Sequence, residues 1–255
     1  MRKGNLYHKS VITIVMLILL IPLLATLLYS FSAVWGATVL PEKLTLDWYI
    51  KLWSDPRFLI SFARSIFLCF MSILISLLVI VPLAFIIEYR YPKWQSMMDI
   101  VILLPFAMPP IVASVGLLQI FSGSPIMGTP WILVGCYFTI VLPFMYRSLV
   151  NNLRALNLHD LMDAASLLGS SAPQAFMRVV LPNIRKGILS AWFIAFSLLF
   201  GEFVFANMLV GTNFETLQVY LYNMRQTSGH FTSAIVISYF LVILILTLLA
   251  NRFNK

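Results

Sequence analysis

Residues 65–87 read SIFLCFMSILISLLVIVPLAFII, an unbroken apolar run without one charged side chain. A helix that crosses the hydrocarbon layer takes about 20 such residues. A membrane-barrel strand would instead alternate lipid-facing and lumen-facing positions over about 10 residues. The run does not alternate, so it is read as a spanning helix. Working outward, residues 11–31, 100–121 and 232–250 are equally free of charge. Residues 130–146 are uncharged but short, and a span over 130–150 continues past Arg147. Residues 188–211 carry a single charge, Glu202. The expectation is an all-α membrane protein with six transmembrane helices in one domain over residues 1–255.

Composition agrees. Of 255 residues, 61% are apolar and 10% charged, and the mean hydropathy is +0.94. Soluble domains are about a quarter charged, and so few charges cannot coat a soluble globule of this size. A cytosolic enzyme, a disordered chain and a secreted disulfide scaffold are excluded. Cys69 and Cys136 fall inside apolar runs and read as small buried hydrophobes. His8, His159 and His230 are isolated, so neither a metal site nor a resident cofactor is expected.

The net charge is +8, with the basic residues lying between apolar runs. That pattern orients a chain in membrane lipid and does not make a nucleic-acid face. With the N-terminus inside, residues 1–10, 88–99, 147–187 and 251–255 hold 12 of the 17 Lys and Arg. Both termini are therefore expected in the cytoplasm. Arg2, Lys3 and Lys9 precede the first run as they would a secretory signal, but the run exceeds the roughly 7–15-residue core of such signals. It is read as an uncleaved anchor. The outer segment 32–64 mixes Trp35, Trp48, Tyr49 and Trp53 with Pro41 and Pro56. It is either an interfacial helix near 46–53 or a packed external loop.

Two spans are marked by their chemistry. Residues 100–121 contain Pro105, Pro109 and Pro110. Proline removes a donor and crowds the preceding turn, and in lipid the freed carbonyls need protein or a water-filled cavity. A kink that faces protein is expected, as a packing feature or beside a pathway. Glu202 is the one ionisable group deep in a span, so it faces the bundle interior or water. It either lines a pathway that favours cations or hydrogen-bonds a neighbouring helix.

The loop 151–187 is the longest hydrophilic stretch. Residues 158–168 place Leu158, Leu161, Met162, Ala165 and Leu168 on one helical face. Gly169 suits the helix C-cap. Ser171 suits the next N-cap, with Pro173 in the first turn and Gln174 completing a capping box. The second helix displays Phe176, Val179 and Val180, and is expected to end near Leu181 because Pro182 follows. The two helices make an elbow under the membrane. Phe176 fills a groove on a partner, or the apolar face packs on the chain's own spans.

Asp163-Ala164-Ala165, three residues, Gly169, nine residues, Val179, one residue, then Leu181-Pro182 resembles the EAA motif of bacterial ABC-type importer permeases. The consensus is Glu-Ala-Ala-x3-Gly-x9-Ile-x-Leu-Pro, and every spacing agrees. Asp163 and Val179 depart from the usual Glu and Ile, which puts in doubt only the contacts Asp163 makes. The resemblance covers the whole chain as a type I permease. It is nearest the spermidine/putrescine, 2-aminoethylphosphonate and iron(III) branch, on the weaker signal of Gly201-Glu202-Phe203.

The resemblance implies a division of labour. Asp163, Ala164, Ala165, Gly169, Phe176, Val179, Leu181 and Pro182 would form the docking elbow for a cytoplasmic ABC ATPase. That ATPase would hold ATP-Mg, and this chain would have no catalytic residue. A second permease, identical or homologous, and an extracytoplasmic solute-binding protein would complete the machine in the bacterial inner membrane. A translocation pathway would pass Glu202, Pro109 and Pro110, and the solute favoured is spermidine- or putrescine-like. Gly123 to Gly128 matches the glycine spacing of a P-loop, but Thr129-Pro130 follows where Lys and Ser/Thr are needed. An ion-coupled secondary transporter would show more intramembrane charge. An intramembrane hydrolase would need a nucleophile with a base in reach, and no span contains His.

Overall fold

A computed structural model describes residues 2–36, 38 and 40–254, without the side chains of residues 2–7, 250, 251, 253 and 254. Lys255 and the side chains of Arg2 and Lys3, counted above for orientation, lie outside the described residues.

The order of elements is α1 (Arg2–Phe31), a hairpin of β1 (Ser32–Val34) and β2 (Lys43–Leu44), α2 (Asp47–Trp53), α3 (Pro56–Tyr89), a 3₁₀ turn Pro92–Trp94, α4 (Gln95–Val101), α5 (Leu104–Ala107), α6 (Pro110–Ile120), α7 (Pro130–Arg154), α8 (Leu158–Leu167) and α9 (Ala172–Ala175). A π-helical turn Phe176–Val180 leads into α10 (Leu181–Asn183) and α11 (Arg185–Phe200). A second π turn, Ala206–Val210, precedes α12 (Leu217–Met224) and α13 (Gly229–Asn254). The fold is all-α apart from the small antiparallel hairpin, which pairs Ser32 with Leu44 and Val34 with Lys43.

Four helices are each long and apolar enough to cross a membrane: α1 from His8, α3, α7 and α13. The count reaches six if each of two bent helix pairs is one span. At 34 residues α3 is about 50 Å long, more than the roughly 30 Å of hydrocarbon. Its ends, with Arg57 and Glu88, therefore overhang. The third span was expected as a kinked helix over 100–121. It is instead broken, with Pro92–Ala107 and Pro110–Ile120 bent by 82°. Met108 (φ −85°, ψ 126°) and Pro109 (φ −56°, ψ 133°) are both extended, because a residue that precedes proline is pushed out of the helical region. Pro110 then sits in the first helical turn, where its missing N–H costs nothing.

The described chain divides into two compact units, residues 1–60 with 220–242 and residues 61–219 with 243–254. In the first, Trp48 Nε1–H donates to the Ser32 carbonyl at 2.9 Å, and Tyr49 and Ser30 share a 2.6 Å hydrogen bond. The His230 ring stacks on Tyr29 at 4.0 Å and on Trp48 at 5.8 Å. The outer segment contains a short helix, α2, and that helix packs on its neighbours.

In the second unit the core is the packing of α7 on α11. Gly187, Ala191 and Ala195 recur every four residues on α11 and are all buried. Small residues at that spacing let two helices approach closely. The approach is tightest at Gly187, where an added Cβ would lie 2.7 Å from Asn152 Cβ. The glycines of the P-loop-like spacing serve the α6–α7 turn, since Gly123 and Gly128 both have φ of 76°.

Gly187→Ala is expected to destabilise the chain by about 1–3 kcal/mol through overpacking. The check is the thermal unfolding midpoint of the detergent-solubilised protein. It should fall, and Asn152→Gly added to the same variant, which removes the opposing Cβ, should restore more of it than Asn152→Ala, which keeps that atom.

Candidate functional site

The elbow is built from local capping. The α8 helix ends with Gly169 at φ +80°. Gly169 N–H donates to the Ser166 carbonyl at 2.9 Å, and Ser170 N–H to the Ala165 carbonyl at 3.0 Å. Those two bonds are the Schellman closure that a left-handed residue permits. Ser171 N–H then donates to Gln174 Oε1 at 3.1 Å, the glutamine arm of the expected capping box.

The second helix does not stop before Pro182. It runs through as Ala172–Asn183. Leu181 N–H reaches back five residues to the Phe176 carbonyl, and the widened turn loosens the backbone just where the proline ring would crowd the preceding turn. The chain bends by 69° at Ile184 before α11.

Leu158, Met162 and Ala165 are buried and Leu161 is half-buried, as the helical face requires. Leu168 departs from that face and is 88% exposed, as is Leu167. Leu168 is the C-cap residue, where the chain already turns away from the α8 axis. Phe176 is half-buried with its ring 4.6 Å from that of Phe85 on the chain's own α3. Of the two roles open to Phe176, the geometry provides the intramolecular one. Val179 and Leu181 are half-buried, while Asp163, Ala164 and Pro182 are exposed. The elbow therefore presents Leu167, Leu168 and Met177 to its surroundings, a set that periodicity puts inside or passes over. Two leucines directly before the cap glycine are the available signal.

Glu202 stands in a further interruption, after α11. The helix stops at Phe200, Glu202 and Phe203 are non-helical, and helical structure resumes at Val204. Phe205 N–H donates to Glu202 Oε1 at 2.7 Å and Ala206 N–H to Oε2 at 3.1 Å. The buried Tyr137 side chain of α7 lies beside the same carboxylate. The side chain caps a helix N-terminus, and the positive end of that helix offsets its charge.

The same residue lines a cavity of about 330 Å³ with Pro105, Met108, Pro109, Pro110 and Phe205. The structure thus brings together all three residues placed in a pathway, Glu202, Pro109 and Pro110. A second, apolar cavity of about 520 Å³ shares Pro105, Met108, Thr139 and Phe205 and reaches Trp131. Thr139 Oγ1 is already committed to the Cys136 carbonyl at 2.6 Å. No elbow residue lines either cavity.

Two carboxylates escape sequence reasoning. Glu215 is 5% exposed in the loop before α12, 3.5 Å from Ser61 Oγ. Glu88 forks with Arg154, 66 residues away, and no spacing rule joins them.

Residues 80–255, more than two thirds of the chain, match the family described as binding-protein-dependent transport system inner membrane component. The chain is 27% identical over 206 residues to the Salmonella typhimurium protein assigned as the 2-aminoethylphosphonate transport system permease PhnV, covering 80% of this chain and 77% of that one. It is 25% identical over 227 residues to the Escherichia coli K12 spermidine/putrescine transport system permease PotC, covering 87% and 83%. A bacterial ABC transporter for import of the acidic polysaccharide alginate shares the fold, with TM-score 0.82, 15% identity and coverage of 100% and 97%. The MetNI methionine ABC transporter matches at TM-score 0.63, 15% identity and coverage of 79% and 97%. This chain belongs to the binding-protein-dependent inner membrane components, the permease subunits of ABC-type importers.

Proposed function

We propose that this permease moves a small aliphatic amine of the spermidine or putrescine kind into the cytoplasm, driven by ATP hydrolysed on a separate ATPase subunit. The observation that carries the drive is the exposed apolar tip of the elbow, Leu167 and Leu168, each 88% exposed. Exposed leucines beside small, exposed Ala164 fit a groove on a protein partner. That partner is the ABC ATPase, which holds ATP-Mg, and Asp163, Gly169, Phe176, Val179, Leu181 and Pro182 shape the handle. A second permease and an extracytoplasmic solute-binding protein complete the assembly. Its states interconvert because ATP favours one closed arrangement of the ATPase and the docked elbows share that bias.

The whole chain acts as one membrane domain, with both termini in the cytoplasm. The excess of Lys and Arg in the loops on that side supports the orientation. The permease PotC carries spermidine or putrescine in its name and PhnV carries 2-aminoethylphosphonate. A primary amine is the chemistry those solutes share. The second reading, 2-aminoethylphosphonate itself, is favoured by the likeness to PhnV. Neither of these two relatives carries iron(III) in its name. The solute passes the break that Glu202, Pro109 and Pro110 border.

Replacing Leu167 and Leu168 together by Asp should cut ATPase affinity at least tenfold, since burying one leucine is worth about 1.5–3 kcal/mol and each 1.4 kcal/mol is about tenfold. Co-purification of the ATPase with the membrane-inserted chain is the measurement, and unaltered recovery would remove the elbow tip from the interface. Glu202→Gln keeps one acceptor for the cap and loses the charge. Uptake of labelled putrescine should fall while the complex still assembles, and unchanged uptake kinetics would take Glu202 out of the pathway. Glu202→Ala should in addition lose about 1 kcal/mol of stability with the cap.

A further inference from the structure

The last turn of α3 carries Phe85, Glu88 and Tyr89, spaced i, i+3 and i+4 and so on one face. Each of the three meets the elbow or its root. Phe85 and Phe176 have ring centroids 4.6 Å apart, and Tyr89 and His159 5.3 Å. Between them, Arg154 Nε–H donates to Glu88 Oε2 at 3.0 Å and Arg154 Nη2–H to Oε1 at 2.9 Å. Arg154 is the last residue of α7, three residues before the N-cap of α8 at Asn157.

The carboxylate has a third partner. Gln95 Nε2–H donates to Glu88 Oε2 at 3.0 Å. Gln95 opens α4, the arm of the bent span that ends at Ala107 on the wall of the 330 Å³ cavity. One side chain thus joins the helix feeding the elbow, the helix under the elbow and the arm leading to the break.

Exposed ion pairs contribute little because water competes for both charges. This pair differs, since the Glu88 side chain is 7% exposed and only Arg154, at 46%, meets solvent. Two parallel bonds from a planar guanidinium also fix orientation, which one ammonium group cannot do. A fork of this kind carries a displacement without slipping.

We propose that Glu88 and Arg154 are positioning residues that hand the movement of the elbow to the bent span, and through Gln95 to the break at Met108. The proposal rests on the reading of the elbow as the ATPase handle. Arg154→Lys keeps the charge and loses the fork, and Glu88→Gln keeps the shape and loses the charge.

The test uses the full complex of permease, second permease and ATPase in lipid nanodiscs. Cys69 and Cys136 are replaced by Ala, and Ala107→Cys serves as reporter on the cavity wall. The readout is the rate of N-ethylmaleimide labelling at 107 without nucleotide and with ATP plus vanadate. The otherwise unaltered complex should label at two different rates. Arg154→Lys and Glu88→Gln should lose that difference while ATPase co-purification and ATP hydrolysis persist. Variants that keep the difference overturn the proposal. So do variants that shed the ATPase, because the pair would then only shape the elbow. If the otherwise unaltered complex itself labels at one rate, the coupling reading fails, and the clamp with it. Failure of the clamp alone leaves that reference difference intact.

Discussion

An open amide inside a bilayer has no water to turn to, and the chain breaks two of its spans under that constraint. The two breaks meet it in opposite ways. At Met108 the following residues are Pro109 and Pro110, so the start of α6 is made with two donors absent. At Gly201 to Phe203 the donors are present, and the chain brings its own acceptor. Glu202 takes the N–H groups of Phe205 and Ala206, with Tyr137 of α7 beside it. Without that carboxylate the second break would leave the helix start at Val204 without its cap, at a cost of about 1 kcal/mol. The cavity between the breaks exists because neither runs on as continuous helix.

The elbow obeys the reverse condition. It lies among charged loop residues such as Asp160, Asp163, Arg178 and Lys186, where water can satisfy a helix end. Its turn is nonetheless closed by its own groups, Gly169 in the left-handed region and Gln174 folded back on Ser171. A tightly closed turn holds Leu167 and Leu168 outward with little freedom, and that lowers the entropy lost when they are buried against a partner. The π turn at Phe176–Val180 serves the same end from the other side. It lets the helix continue through Pro182, so the elbow stays stiff as far as the bend before α11.

What the sequence discloses follows from the range of each interaction. The capping of the elbow depends on residues within six positions of one another, so Gly169, Ser171 and Gln174 are legible without a structure. Apolar runs depend on a local average, which makes the spanning segments visible. Breaks are half legible. Pro109 and Pro110 announce a disturbance, but an 82° bend and a helix that resumes after Glu202 depend on Tyr137 and on the packing of α7. The helix through Pro182 escapes because a π turn has no short-range signature. Periodicity places Leu168 inward because it presumes that the helix goes on, whereas Gly169 ends it. The pairing of Glu88 with Arg154 spans 66 residues and becomes visible only once α3 and α7 are side by side.

The state of Glu202 also bears on what a carrier of this kind can hold. A free carboxylate in a low-dielectric cleft would grip an ammonium group strongly and release it slowly. Here the oxygens already accept two backbone donors, and a helix N-terminus offsets the charge. If a cationic solute passes the break, it meets an attraction weaker than that of a free carboxylate. The adjoining cavity is lined by apolar groups such as Val112, Leu117 and Trp131. Such walls suit the methylene stretches of a diamine and would strip water from a phosphonate at high cost. Weak, mostly apolar contact in the membrane would leave strong recognition to a partner outside it, the division expected of a binding-protein-dependent component.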